Sequence, residues 1–253
     1  MILTFDIGNT RTSIALFDEV DAKCLREFYL LSEDLYSEKK LVNLLSLYIG
    51  AVKIDGAVIG SVVAKVNDGV CAVLRELFDI EPVVINSKSK LPIKLGVEFP
   101  EKLGVDRIVN GAYAYDKYKE AVIVVDCGSA ITFDIVNSEG VFVGGTISLG
   151  LRNQLKAISS STSALPEFDL RDVDSIIGND TQKAILSGVV NGTASMIDGM
   201  IEKSKKELGC SARVILTGGD SELIGKYLNT NIDENNSKFT LLGLNFLYKF
   251  NQG

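Results

Sequence analysis

The chain has 253 residues, a formal net charge of -7 and no His. Without His there is no Ser-His-Asp or Cys-His catalysis, no His-ligated zinc and no imidazole base, so proton transfer falls to a carboxylate, Lys, Tyr or Cys. The excess of 33 acidic over 26 basic residues argues against nucleic acid as the main partner, because phosphate backbones select basic surfaces.

Residues 3–6 and 12–17 read as two strands around a turn at Gly8-Asn9-Thr10, and 25–31 as a third strand. Apolar residues at helical spacing predict a helix over 35–49 (Leu41, Leu44, Leu45, Tyr48). A strand over 56–63, a helix over 66–78 and a strand over 82–85 follow, then a polar loop to 103 and a helix over 104–118. The second half repeats the start with strands over 121–126, 131–136 and 140–148. A helix over 150–160, a loop at 159–163 and one or two helices over 181–208 come next, with Gly188, Gly192 and Gly199 as close-packing positions. A strand over 213–217 and helices over 221–228 and 243–250 complete the chain.

One self-similarity organises this list. Asp6-Ile7-Gly8-Asn9-Thr10-Arg11-Thr12 and Asp126-Cys127-Gly128-Ser129-Ala130-Ile131-Thr132 both read D-x-G-x-x-x-T, each between apolar strands, 120 residues apart. A duplicated three-strand unit with helices predicts two α/β domains joined across a cleft, 1–118 and 119–253. The alternative is coincidence between two common turns.

In such a hairpin Asp stands at a strand end, Gly lets the backbone approach a ligand, and exposed N–H groups cradle phosphate oxygens. An Asp there can hold Mg²⁺, usually through water. Val214-Ile215-Leu216-Thr217-Gly218-Gly219-Asp220 is an apolar strand ending in a Gly pair, suited to a flat ring or a phosphate, or else a plain turn with Asp220 as helix N-cap. Gly144-Gly145-Thr146 is equally ambiguous. Leu103-Gly104-Val105-Asp106-Arg107 offers a carboxylate base and a cation for an anionic group, or a helix-start charge and its partner. Neither a P-loop nor a Rossmann glycine motif is present.

Taken in order, Asp6 to Thr10, Leu103 to Arg107, Asp126 to Thr132, Gly144 to Ile147 and Thr217 to Gly219 resemble the motifs of type III pantothenate kinase, of the superfamily of sugar kinases, heat-shock ATPases and actin. The resemblance covers nearly the whole chain. It implies duplicated actin-like (ribonuclease H-like) α/β domains with a nucleotide cleft between them. It implies ATP-dependent phosphorylation of pantothenate in coenzyme A synthesis, with Mg²⁺, a monovalent cation such as K⁺ or NH₄⁺, and a homodimer. By matching position, Asp6, Ile7, Gly8, Asn9, Thr10, Arg11, Thr12, Ser13, Ser129, Gly218 and Gly219 contact ATP, with Asp6 near Mg²⁺. Gly104, Val105, Asp106, Arg107 and Thr181 bind pantothenate, Asp106 accepts the proton, and Asp126 helps hold the monovalent cation. The chain departs from the family at Ser129 (usually Thr), at Leu149 (usually Pro) and near Val97, where the family often has an aromatic and this chain has one only at Phe99.

A non-catalytic regulator of the same fold and another small-molecule kinase of the superfamily are the alternatives. The presence of Asp6, Asp106, Arg107 and Asp126 together speaks against the regulator. Scattered cysteines (Cys24, Cys71, Cys127, Cys210), an N-terminus interrupted by Asp6 and short apolar runs predict a soluble cytoplasmic protein with no membrane partner.

Overall fold

The computed structural model describes residues 1–161 and 168–252. The expected loop at 159–163 thus lies partly outside the described residues, and its first two serines finish a helix instead. The chain divides into two compact units, Met1–Tyr113 with the chain end from Thr240, and Ala114–Phe239.

The first unit begins with β1 (Ile2–Ile7), β2 (Arg11–Phe17) and β3 (Cys24–Leu31). After helix α1 (Glu38–Ile49) come β4 (Gly56–Ser61), α2 (Ala64–Phe78) and the short strands β5 (Val83–Val84) and β6 (Lys94–Leu95). The sheet order is β3-β2-β1-β4-β5, antiparallel up to β1 and parallel beyond it. β4 is buried on both faces, which is why Gly-Ala-Val-Ile-Gly-Ser shows no alternation. At the edge, β3 buries only Phe28 and Leu30 and alternates as a half-covered strand does. Phe5, Ile59, Leu41, Leu45, Val70 and Leu74 form the core beneath α1 and α2.

Helix α3 (Val105–Tyr118) carries the division between the units, and α7 (Phe239–Gln252) belongs with the first. This differs from the expected split after residue 118. The reason is packing: Thr240 Oγ1 donates to Asn110 Oδ1 at 2.9 Å, and the Tyr113 and Phe246 rings lie 5.7 Å apart. A Cβ at Gly243 would stand 2.7 Å from Val109 Cγ1, so Gly243 lets α7 approach α3.

The second unit holds β7 (Val122–Cys127), β8 (Ala130–Val136), β9 (Val141–Leu149) and α4 (Leu151–Ser160). It continues with α5 (Thr181–Leu208), β10 (Arg213–Thr217), α6 (Ser221–Gly225) and β11 (Glu234–Asn235). Its strands run β9-β8-β7-β10-β11, with the same pattern of antiparallel and parallel pairing as β3-β2-β1-β4-β5. The internal repeat is therefore a repeat of topology as well as of sequence.

α5 is one helix. Asp180 caps its start by accepting from the Lys183 N–H at 2.8 Å, and Gly209 ends it in the left-handed region at φ +68°. By length and composition it is apolar enough to cross a membrane, but its 28 residues place Leu186, Val190, Ala194, Ile197 and Ile201 in the core of the second unit. The expectation of close packing at Gly188, Gly192 and Gly199 is corrected: among the described residues a Cβ at any of them meets nothing within 4 Å. α6 is shorter than expected and α7 begins four residues earlier, while β11 had no sequence signal because two residues carry no period.

Candidate active site

Asp6 stands one residue from the end of β1. In the sheet register it lies opposite Ser13 on β2 and beside Gly60 on β4. The turn after it is tight. The Gly8 N–H donates to the Arg11 carbonyl at 3.1 Å, and a Cβ at Gly8 would crowd that oxygen at 2.9 Å. Ser32 braces the turn from β3's far end, its hydroxyl donating to the Gly8 carbonyl at 2.6 Å and its N–H to the Thr10 carbonyl at 3.0 Å. Asn9, Thr10 and Arg11 are exposed at the tip, whereas Ile7 and Thr12 are buried. The Thr12 hydroxyl pairs with Ser32 Oγ at 3.0 Å, so contact from Thr12 or Ile7 to a ligand is restricted to the main chain. The Arg11 guanidinium lies 3.3 Å from the Tyr29 ring centroid, where the ring face attracts a cation. Burial and then Glu27 push the Tyr29 hydroxyl up to about 12, so the ring stays neutral.

The start of α3 reaches the same region of the first unit. A Cβ at Gly60 would lie 3.5 Å from Val105 Cγ1, which places residues 104–107 next to the strand ends that carry Asp6. The Gly104 carbonyl accepts the Ile108 N–H at 3.1 Å and opens the helix. Asp106 Oδ1 accepts the Arg107 N–H at 2.9 Å, and a Cβ at Gly104 would stand 2.5 Å from that oxygen. Glycine at 104 thus leaves room for the carboxylate. Burial raises the Asp106 pKa, opposed by the Arg107 N–H and by its charge. A carboxylate so placed is a better proton acceptor than an exposed one.

In the second unit Asp126 lies opposite Thr132 on β8 and beside Thr217 on β10. A Cβ at Gly218, whose φ is +92°, would be 2.4 Å from Asp126 Oδ1 and 2.6 Å from the Cys127 backbone. The Asp220 N–H donates to the Cys127 carbonyl at 3.0 Å. The turn at 218–220 is therefore seated on the end of β7, and Asp126, Gly218 and Gly219 are brought together. Ser129 is exposed at the hairpin tip. Its carbonyl accepts the Gly150 N–H at 3.0 Å and Asn153 Nδ2 at 2.9 Å. Thr181 is exposed at the first position of α5.

Three features carried no local sequence signal. Thr217 Oγ1 and Ser221 Oγ are fully buried and have no hydrogen-bond partner among the described residues, one on either side of the Gly pair. Asp220 occupies the N-cap position of α6, but its carboxylate makes no capping bond and accepts from Arg152 instead, at 3.1 Å to Nε. Nothing in the spacing links positions 152 and 220. Among the described residues no group of three His, Cys, Asp or Glu could hold a metal alone. A cation bound beside either Asp would need further oxygen ligands from substrate and water, as Mg²⁺ commonly takes.

Two hairpins of one design, each with an Asp one residue from the end of its first strand, and one carboxylate at a helix start suit phosphoryl transfer. A model of the type III pantothenate kinase family matches residues 2–203. The chain belongs to the type III pantothenate kinase family. It is 34% identical over 233 residues to the type III pantothenate kinase of Persephonella marina (strain DSM 14350 / EX-H1), covering 90% of this chain and 91% of that one. It is 32% identical to that of Agathobacter rectalis, covering 98% of this chain and 97% of the relative. Among solved structures, the activator of 2-hydroxyisocaproyl-CoA dehydratase from Clostridium difficile with bound ADPNP matches with a TM-score of 0.54 at 13% identity, over 99% of this chain and 94% of that one. At that identity the likeness speaks for the fold. The fold is the α/β actin-like one, twice over.

Proposed function

We propose that the chain transfers the γ-phosphoryl group of ATP to the primary hydroxyl of pantothenate with Asp106 as the proton acceptor. Family membership supplies the reaction: ATP-dependent phosphorylation of pantothenate to 4'-phosphopantothenate, which begins coenzyme A biosynthesis. The single observation that supports Asp106 is its desolvated carboxylate beside Arg107, in a chain without His. As the hydroxyl oxygen bonds to phosphorus and ADP departs, the hydroxyl proton passes to the Asp106 carboxylate. In a largely dissociative transition state the nucleophile needs orientation more than early deprotonation, so a carboxylate base suffices. Gly104, Val105 and Arg107 position the acceptor, with Arg107 pairing its carboxylate, and Thr181 adds a hydroxyl.

On the nucleotide side, the main chain of Asp6 to Ser13 and Ser129 meets the phosphates, and Gly218 and Gly219 admit the nucleoside closely. Asp6 and Ser13, paired across the hairpin, are an oxygen set that fits Mg²⁺ held partly through water. Bound there, Mg²⁺ offsets the charge of the β- and γ-phosphates. The hydroxyl of Thr217, beside Asp126 and with no partner among the described residues, fits a monovalent cation such as K⁺ or NH₄⁺. A cytoplasmic homodimer is part of this reading. A coupled ADP-release assay with pantothenate, ATP, Mg²⁺ and K⁺ tests it, beside acetate and sugar controls. Pantothenate-dependent ADP release is the expected result; release equal to the pantothenate-free background leaves the chain as a regulator.

A further inference from the structure

The first turn of α4 touches both nucleotide-side loops of the second unit. The Gly150 N–H and Asn153 Nδ2 both bond the Ser129 carbonyl, at 3.0 and 2.9 Å. One residue away, Arg152 grips Asp220 with Nε and Nη2, at 3.1 and 3.0 Å from the same carboxylate oxygen. Gly150 is the pivot, because a Cβ there would fall 2.1 Å from the Gly128 carbonyl oxygen.

Asp220 is buried, its side chain only 6% exposed, and it directly follows the Gly218-Gly219 pair. Its carboxylate makes no capping bond to α6 and turns to Arg152. A carboxylate that deep needs a partner, since an unpaired buried charge is costly. Without Arg152 the Asp220 carboxylate must take up a proton or turn toward water, and either change loosens the hold on the main chain of Gly218 and Gly219. We propose that Arg152 is a positioning residue for nucleotide binding: through Asp220 it holds the Gly218-Gly219 turn in the shape that admits ATP, while α4 holds Ser129 from the same turn. This rests on the kinase reading above.

The test is steady-state kinetics of full-length Arg152→Gln and Arg152→Lys beside direct titration of each with ADP. Gln should raise KM for ATP and weaken ADP binding about tenfold, the scale of 1.4 kcal/mol, with KM for pantothenate unchanged. Lys keeps the charge but loses the two-nitrogen grip, and should recover part of the loss. A purely stabilising pair would lower the melting temperature and leave both KM values alone. ADP affinity and KM for ATP equal to wild type, or a parallel rise in both KM values, overturns the proposal. If the Gln variant does not fold, the Lys variant decides on the same readings. ADP titration separates the two ideas: it reads the positioning role even if pantothenate proves not to be the acceptor.

Discussion

Ser13 stands directly across the sheet from Asp6, while Thr12 stands across from Ile7 and points its hydroxyl at Ser32. In the second hairpin the residue across from Asp126 is Thr132, and Ile131 faces Cys127. The second turn is one residue shorter, closing from Gly128 to Ala130 where the first closes from Gly8 to Arg11. The two threonines that align by counting, Thr12 and Thr132, are therefore not equivalent in space. The equivalent of Thr132 is Ser13.

This relationship separates two substitutions. Ser13→Ala should raise KM for ATP several-fold and leave the melting temperature nearly unchanged. Thr12→Ala should cost about 1 kcal/mol through the lost bond to Ser32, with KM for ATP unchanged. Kinetics and thermal melts on the two variants check the contrast; an effect on KM from Thr12→Ala alone reverses the assignment.

Asp106→Asn should lower kcat by about a hundred- to ten-thousandfold, the usual weight of a general base. It should also stabilise the protein at neutral pH. The folded carboxyl titrates above its ordinary value, so between that value and the folded one the native state holds the extra proton. Stability then falls as pH rises through that window and stays reduced above it. The melting-temperature advantage of Asn should close as pH drops to the ordinary Asp range. In the wild type, the acid limb of the kcat profile should lie above that range.

Glycine substitutions should split by sign. Gly218→Ala forces a Cβ to 2.4 Å from Asp126 Oδ1 at φ +92°, and should cost about 1–3 kcal/mol together with nucleotide affinity. Gly69→Ala, inside α2 with only an ordinary contact to Glu38 at 3.6 Å, should stabilise by up to about 1 kcal/mol. Denaturant melts read both.

Thr217→Val removes a buried hydroxyl with no partner among the described residues while keeping the shape of the side chain. Without added K⁺ the variant should melt at or above the wild-type temperature, because a lone buried hydroxyl is a cost. If Thr217 helps Asp126 hold the cation, the K⁺ concentration for half-maximal activity should rise several-fold. A K⁺ titration with unchanged half-activation removes Thr217 from that site.

The sequence by itself determined the longer strands, most helices, the repeat and the family, but not the two-residue strands β6 and β11. Strands declare themselves where both faces are buried, as in β4 and β7, and long helices where one face is apolar, as in α1. The D-x-G motif survives because a sharp turn at a strand end admits few residue types. What only the tertiary structure decided was pairing between distant segments: Ser13 rather than Thr12 opposite Asp6, α7 with the first unit, and Arg152 on Asp220. The physical reason is common to all three. Local propensity acts over a few residues, whereas register, helix docking and ion pairing are set by which distant surfaces close together, and a one-residue difference in a turn redirects every side chain after it.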